Sequence, residues 1–262
     1  MLTIGDAGGW GVLLIALAGV AAGIINAVVG SGSLFTFPAL LGVGLGSVTA
    51  NVSNNIGLVP GNAAAAWGYR DLLRDQRRRV LSLVPASGAG AVTGAVLLLT
   101  LPQSVFDAAV PALIGLAVVL VLLQPRLQAR LGRARPAGTR DGDARGSLAL
   151  VAGSFAAGVY GGYFGAAQGV LLIGLLGALV REDLQRLNAV KNVLALVVNT
   201  VAALVFAVAA PQRVDLVAVL AIAAGATVGG VLGARIGKRL PPVAYRGLIA
   251  VVGVAAIVVL LR

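Results

Sequence analysis

Of the 262 residues, 59% are hydrophobic and only 11% are charged, and long apolar runs recur from end to end. That pattern belongs to a polytopic membrane protein and excludes a soluble globular core. The chain has no Cys and no His, which excludes disulfides, thiolate and imidazole catalysis and most transition-metal sites; its net charge of +11 reads as basic cytoplasmic loops rather than as a nucleic-acid surface.

Residues 1–9 carry one charge, Asp6. An apolar run follows over residues 10–29. No basic residue precedes it and further apolar segments follow, so it reads as a membrane helix and not as a secretory leader. It breaks at Gly30-Ser31-Gly32-Ser33 and resumes over residues 34–45. As helix, the second piece would cover about 20 Å, against a hydrocarbon core of about 30 Å. The break is therefore expected inside the membrane, as a re-entrant hairpin. Irregular backbone survives there only where protein or a wet cavity surrounds it.

Residues 48–67 form the next apolar helix, and it carries Asn51, Ser53, Asn54, Asn55 and Asn62. A basic stretch follows, with Arg70, Arg74, Arg77, Arg78 and Arg79 beside Asp71 and Asp75. Two apolar helices, at about 80–100 and 105–123, are joined by the Leu101-Pro102-Gln103-Ser104 turn. Residues 124–147 are rich in Arg, Gly and Pro and read as a linker.

The second half repeats the plan. An apolar run over residues 148–164 breaks around Gly165-Ala166-Ala167-Gln168-Gly169, and a short apolar piece continues to Val180. The charged turn Arg181, Glu182, Asp183 and Arg186 leads into a second Asn helix over residues 188–210. After Pro211-Gln212-Arg213 come helices at about 214–236 and 243–261. Asn51, Asn55 and Asn62 map onto Asn188, Asn192 and Asn199 without a gap. Each trio lies within roughly 40° on a helix and forms one amide stripe. Ala86, Gly90 and Gly94 likewise align with Gly225, Gly229 and Gly233, and Leu101-Pro102 with Leu240-Pro241. The small-residue rows read as helix-packing faces.

The predicted fold is an all-α polytopic membrane protein of about 8 to 10 hydrophobic segments. An N-terminal transmembrane repeat (1–123) and a C-terminal one (148–262) flank an Arg-rich cytoplasmic linker (124–147). Each repeat is a re-entrant hairpin plus three crossings, so the repeats should be inverted relative to each other. With the 69–79 loop inside, the linker, 181–191 and 235–246 also fall inside. Only Arg213 and Arg262 of the 20 basic residues then lie outside, the bias expected of cytoplasmic loops. Both termini are expected outside. Pro38 and Pro60 are expected to kink their helices, and Trp10, Trp67, Tyr69 and Tyr245 to sit in the interfacial aromatic belts.

These pieces resemble the sulfite exporter TauE/SafE family of membrane permeases. The residues that carry the resemblance are GIINAVVGSGSLFTFPALLGVGL followed by ANVSNNIGLVPGNAAAAWGYR, and later GVYGGYFGAAQGVLLIGLLGAL followed by LNAVKNVLALVVNTVAALVF. They extend over nearly the whole chain apart from the linker. The resemblance implies a permease in a bacterial inner membrane that moves a small sulfur-containing anion, such as sulfite or an organosulfonate, usually outward. Ser31 and Ser33 interrupt the Gly-rich run common in the family's first half, and Ala166, Ala167 and Gln168 stand at the second break. Substrate choice is expected to depend on these places.

An oxyanion needs hydrogen-bond donors more than full charges, and Asn amides each supply two N–H groups. The starts of the two short helices add backbone N–H groups and a positive dipole end. The candidate substrate-binding residues are therefore Ser31, Ser33, Asn51, Asn55, Asn62, Gln168, Asn188, Lys191, Asn192 and Asn199. Asn in membrane helices also serves packing, at about 0.6 kcal/mol on average, and three or more of the six stripe residues are expected to do so. Lys191 could alternatively snorkel to the inner surface. Tyr160 and Tyr163 lie near the second break, as substrate donors or as core.

None of the nine acidic residues lies in the middle of a helix, so no buried carboxylate offers itself for proton or sodium coupling. An inside-negative potential alone drives anions outward, by about 2.3 kcal/mol per charge per 100 mV. The expected partners are a small anion and the lipid bilayer, with a homodimer left open and no nucleic acid, cofactor or metal. Uptake of organosulfonates and an anion channel of the same fold are the alternatives. An enzyme lacks a catalytic set here, and a purely structural role would predict no response to substrate.

Overall fold

The computed structural model of the chain describes residues 8–133 and 144–239. Among these residues it has nine α-helices. The predicted last helix at 243–261, Leu240-Pro241, Tyr245 and Asp6 lie outside them. The helices follow the predicted segments within a few residues: α1 Gly8–Val28, α2 Ser33–Gly42, α3 Ser47–Gly68, α4 Arg77–Thr100, α5 Gln103–Arg133, α6 Ala144–Tyr163, α7 Gln168–Leu179, α8 Leu184–Ala209 and α9 Leu216–Gly237. The stretch Arg70–Gln76, read as a loop, forms a 3-10 helix. α5 continues past Leu123 to Arg133, into the segment read as a linker; Leu, Gln, Arg and Ala there favour helix, and Pro125 and Gly132 oppose it.

Helices α1, α4, α5, α8 and α9 contain stretches long and apolar enough to cross a membrane. α3, with 22 residues, is as long as several of them. Its polarity is tolerated because it is enclosed by protein, between α9, α8, α1 and α2. By contrast α2 has 10 residues and α7 has 12. They rise about 15 and 18 Å, too little to cross a core of about 30 Å.

The two halves exchange their packing. α1 lies along α9, and α6 lies along α4, so the first helix of each half rests on the fourth helix of the other. The aligned small residues line both contacts. A Cβ on Gly225 or Gly229 would overlap the carbonyls of Ala16 or Val20, and one on Gly90 or Gly94 those of Phe155 or Val159. Close backbone approach of this kind is how membrane helices gain dispersion contacts without a hydrophobic drive between them. Asp183 and Asp215 cap α8 and α9, each through a side-chain oxygen that accepts a backbone N–H.

Large apolar side chains such as Leu81, Leu116, Val119, Leu220 and Val228 point outward, as contact with lipid requires. Trp10 and Trp67 are highly exposed at helix ends, as interfacial residues should be. Tyr69 corrects the sequence reading: it is fully buried. Its hydroxyl occupies the space where Gly237 has no side chain, and Lys238 lies 5.7 Å from its ring centroid. At that same end, Arg186 pairs with Asp75 at 3.4 Å and with Glu182 at 3.8 Å, and Lys238 pairs with Asp71 at 3.5 Å. The pairs with Asp75 and Asp71 join the first half to the second.

Candidate functional site

Two helices stop short inside the protein. α1 ends at Val28 and α6 at Tyr163, and each is followed by a glycine with left-handed backbone, Gly30 at φ +88° and Gly165 at φ +80°. Only glycine enters that region without steric cost. The chain then turns into the short helices α2 and α7. The two breaks touch: Gly169 N–H donates to Gly30 O at 3.0 Å. A Cβ on either glycine would overlap the other's backbone. Ala167, just before α7, is the one non-glycine residue with positive φ among the described residues, at +60°, the kind of strained position that gathers at functional turns.

A helix that ends in a water-free interior leaves its last carbonyls without partners, and each costs several kcal/mol if left so. The Asn stripes meet this need across the halves. Asn188 and Asn192 each donate to Ala27 O at 3.1 Å. Lys191 Nζ donates to Asn26 O at 2.9 Å and to Ala27 O at 3.4 Å. All four bonds therefore serve the end of α1 from α8. Asn51 on α3 does the reciprocal work, donating to Tyr163 O at the end of α6 at 2.9 Å. Lys191 is 1% exposed, so it does not snorkel. Its Nζ lies at the negative end of the α1 dipole, a favourable place for a donor. The ion pairs among the described residues give it no carboxylate.

The start of α2 is less open than its position suggests. Leu34 and Phe35 N–H bond back to Ser31 O and Gly32 O, and Gly32 N–H donates to Asn26 Oδ1 at 3.2 Å. Asn54 fastens the first turn of α2: its Nδ2 donates to Ser33 Oγ at 3.1 Å and its Oδ1 accepts from Thr36 Oγ1. Around the breaks, polar atoms stay buried without a hydrogen-bond partner: Ser31 Oγ, Asn55 Oδ1, Asn62 Nδ2 and Gln168 Nε2. Three of these groups can donate. Asn199 is also buried, at the position on α8 that matches Asn62 on α3.

Nine of the ten residues predicted for the site divide by role, and the tenth, Asn199, is buried. Asn51, Asn188, Lys191 and Asn192 hold helix ends. Ser33 is tied to Asn54. Ser31, Asn55, Asn62 and Gln168 keep unused polar atoms beside the breaks. Tyr160 donates to Ala166 O at 2.6 Å and closes the second break from inside, while Tyr163 packs edge-on against Phe106.

Asn26 is missing from the predicted set. Its Nδ2 donates to Asn62 Oδ1 at 2.6 Å while its Oδ1 accepts from Gly32. It was legible as the lone amide within the first apolar run, but it has no counterpart in the second half. Gly161 stands two residues before the end of α6, as Asn26 does in α1. There the Gln168 amide fills the space: a Cβ on Gly161 would overlap it.

Similarity to known proteins covers nearly the whole chain. The sequence profile of the family described as "Sulfite exporter TauE/SafE" matches residues 15–260. The "Probable membrane transporter protein YfcA" of Escherichia coli K12 is 28% identical over 185 residues, 66% of this chain. The protein of the same name from Escherichia coli O157:H7 gives the same figures. The chain spans 64% of the length of these curated relatives. No solved structure matches it. The two broken helices, the amides gathered about them and a match over residues 15–260 together make this chain a member of the sulfite exporter TauE/SafE family, a multi-pass membrane protein of a transporter family.

Proposed function

We propose that the protein is a permease that exports a small sulfur-containing anion, sulfite or an organosulfonate, through a site between its two halves. The observation that carries this reading is the meeting of the two helix breaks, with buried donors on Ser31, Asn62 and Gln168 left without partners beside them. Unpaired donors in a low-dielectric interior are costly, and an oxyanion is the ligand that satisfies several at once. Lys191 contributes N–H donors at the α1 end, linked to Asn62 through Asn26. The described carboxylates lie at or near element ends, and none faces the breaks. Transport therefore follows the membrane potential, which favours outward movement of anions.

The same reading takes residues 1–123 and 148–262 as repeats inverted in a bacterial inner membrane, with both termini outside. The exchanged packing of α1 on α9 and α6 on α4 supports a two-fold relation. Transport rather than catalysis is the activity this reading takes, since the buried groups at the breaks are amides, hydroxyls and the Lys191 amine, and that amine is engaged with the α1 carbonyls.

The test is flux of sulfite, sulfate, thiosulfate and a small sulfonate in liposomes under an imposed potential. One anion should move with the potential, saturably, and its flux should fall at least tenfold in Asn62→Ala. Flux that survives this change places the pathway elsewhere. Ohmic single-channel current would favour a channel, and flux that follows a pH gradient at fixed potential would favour proton coupling.

A further inference from the structure

Asn62 keeps its donor end unpartnered and its acceptor end engaged, and the reason can be traced to the backbone. Gly32 N–H can only donate, so the atom of Asn26 that faces it, at 3.2 Å, must be Oδ1. The other end of that amide, Nδ2, can only donate. It meets Asn62 at 2.6 Å, so the Asn62 atom there must be Oδ1. Asn62 Nδ2 is then left buried and unpartnered, in a side chain 4% exposed. Each amide in the chain has one way round, and the direction is set by a main-chain donor at the start of α2.

We propose that Asn26 is a positioning residue that fixes the orientation of the Asn62 amide, so that the site presents N–H groups and selects anions. This rests on the anion-permease reading given above. Without Asn26 the Asn62 amide would turn freely and offer Oδ1 about as readily as Nδ2, which repels an oxyanion. The second half does without this relay. Gly161 has no side chain at the equivalent place, and the Gln168 amide lies there instead, supplied by α7 and not by α6. The site is therefore asymmetric: its first-half donor is oriented through a neighbour, and its second-half donor stands alone. Asn26 does not touch the ligand; it acts through Asn62.

The experiment uses the full chain in liposomes with sulfite as probe, comparing wild type, Asn26→Leu, Asn62→Ala and the double variant. Asn26→Leu should raise the half-saturating sulfite concentration about tenfold and leave the maximal flux within about twofold. In the Asn62→Ala background it should change neither further, because both changes remove one relay. A full additional effect in that background would overturn the proposal, as would unchanged half-saturation in Asn26→Leu. The side-chain NH2 resonance of Asn62 in 15N-labelled protein reads the relay without transport. It should shift and broaden in Asn26→Leu but stay in place in Ser154→Ala, a control on α6 away from the relay. A wild type that moves no sulfite while this resonance behaves as expected would sink the substrate reading alone; an unmoved resonance would sink the relay.

Discussion

At the scale of single residues, polar groups in the interior divide by what they must satisfy. Lys191, Asn188 and Asn192 all serve the last carbonyls of α1, because a helix cannot end in a water-free place without donors. Lys191→Met should therefore destabilise the protein by about 1–3 kcal/mol, since Asn26 O would lose its partner in the interior. Thermal unfolding in detergent checks this. Arg70→Met serves as the comparison, because Arg70 sits exposed over the Trp67 ring and its loss should cost about 0.5 kcal/mol or less. Equal losses in the two variants would mean that the α1 end is satisfied by the Asn pair alone. The amide stripes were legible as stripes, since periodicity places them on one face. Which stripe amide caps a carbonyl and which keeps a free N–H was not, because that depends on a helix from the other half.

Between elements, close contact is set by glycine. α1 on α9 and α4 on α6 approach until backbone meets backbone, and Gly229 and Gly94 stand where a side chain would strike a carbonyl. Gly115 on α5 has open space around it. Gly229→Leu and Gly94→Leu should each lower the melting temperature strongly, with a cost in the range of about 1–3 kcal/mol or more for overpacking. Gly115→Leu should be neutral or slightly stabilising, since Leu is the better helix former. If Gly115→Leu alone were damaging, that face of α5 would be in contact with something other than lipid, such as a second copy of the chain. The pairing of small-residue rows was readable from the sequence alignment of the two halves. That each row would pack on the first helix of the opposite half was not readable, because spacing marks a contact face without saying what touches it.

For the whole molecule, the decisive quantity is the side of the membrane on which each loop lies. The inverted arrangement puts Ser104 and Gln212 outside and Arg74 inside, and all three are exposed. The native chain has no Cys, so single replacements give a clean readout. In intact cells Ser104→Cys and Gln212→Cys should react with a membrane-impermeant maleimide, and Arg74→Cys should react only after permeabilisation. Labelling of Ser104→Cys and Gln212→Cys from opposite sides would mean that the repeats run parallel. The ion pairs of Arg186 with Asp75 and of Lys238 with Asp71 fasten the halves at the end predicted to be cytoplasmic. Being exposed, each adds about 1 kcal/mol at most, so packing and not charge holds the halves together.

The sequence by itself determined that this is a membrane protein, where its helices break, which faces carry amides and which loops are basic. Those properties follow from composition and from segment length against the thickness of a bilayer, and both are local. Only the tertiary structure decided that the two breaks touch through Gly30 and Gly169, that one half's amides cap the other half's helix ends, and that Asn26 sets the direction of Asn62. An amide looks the same in a sequence whichever way it turns, and its direction is imposed by the one neighbour that can only donate.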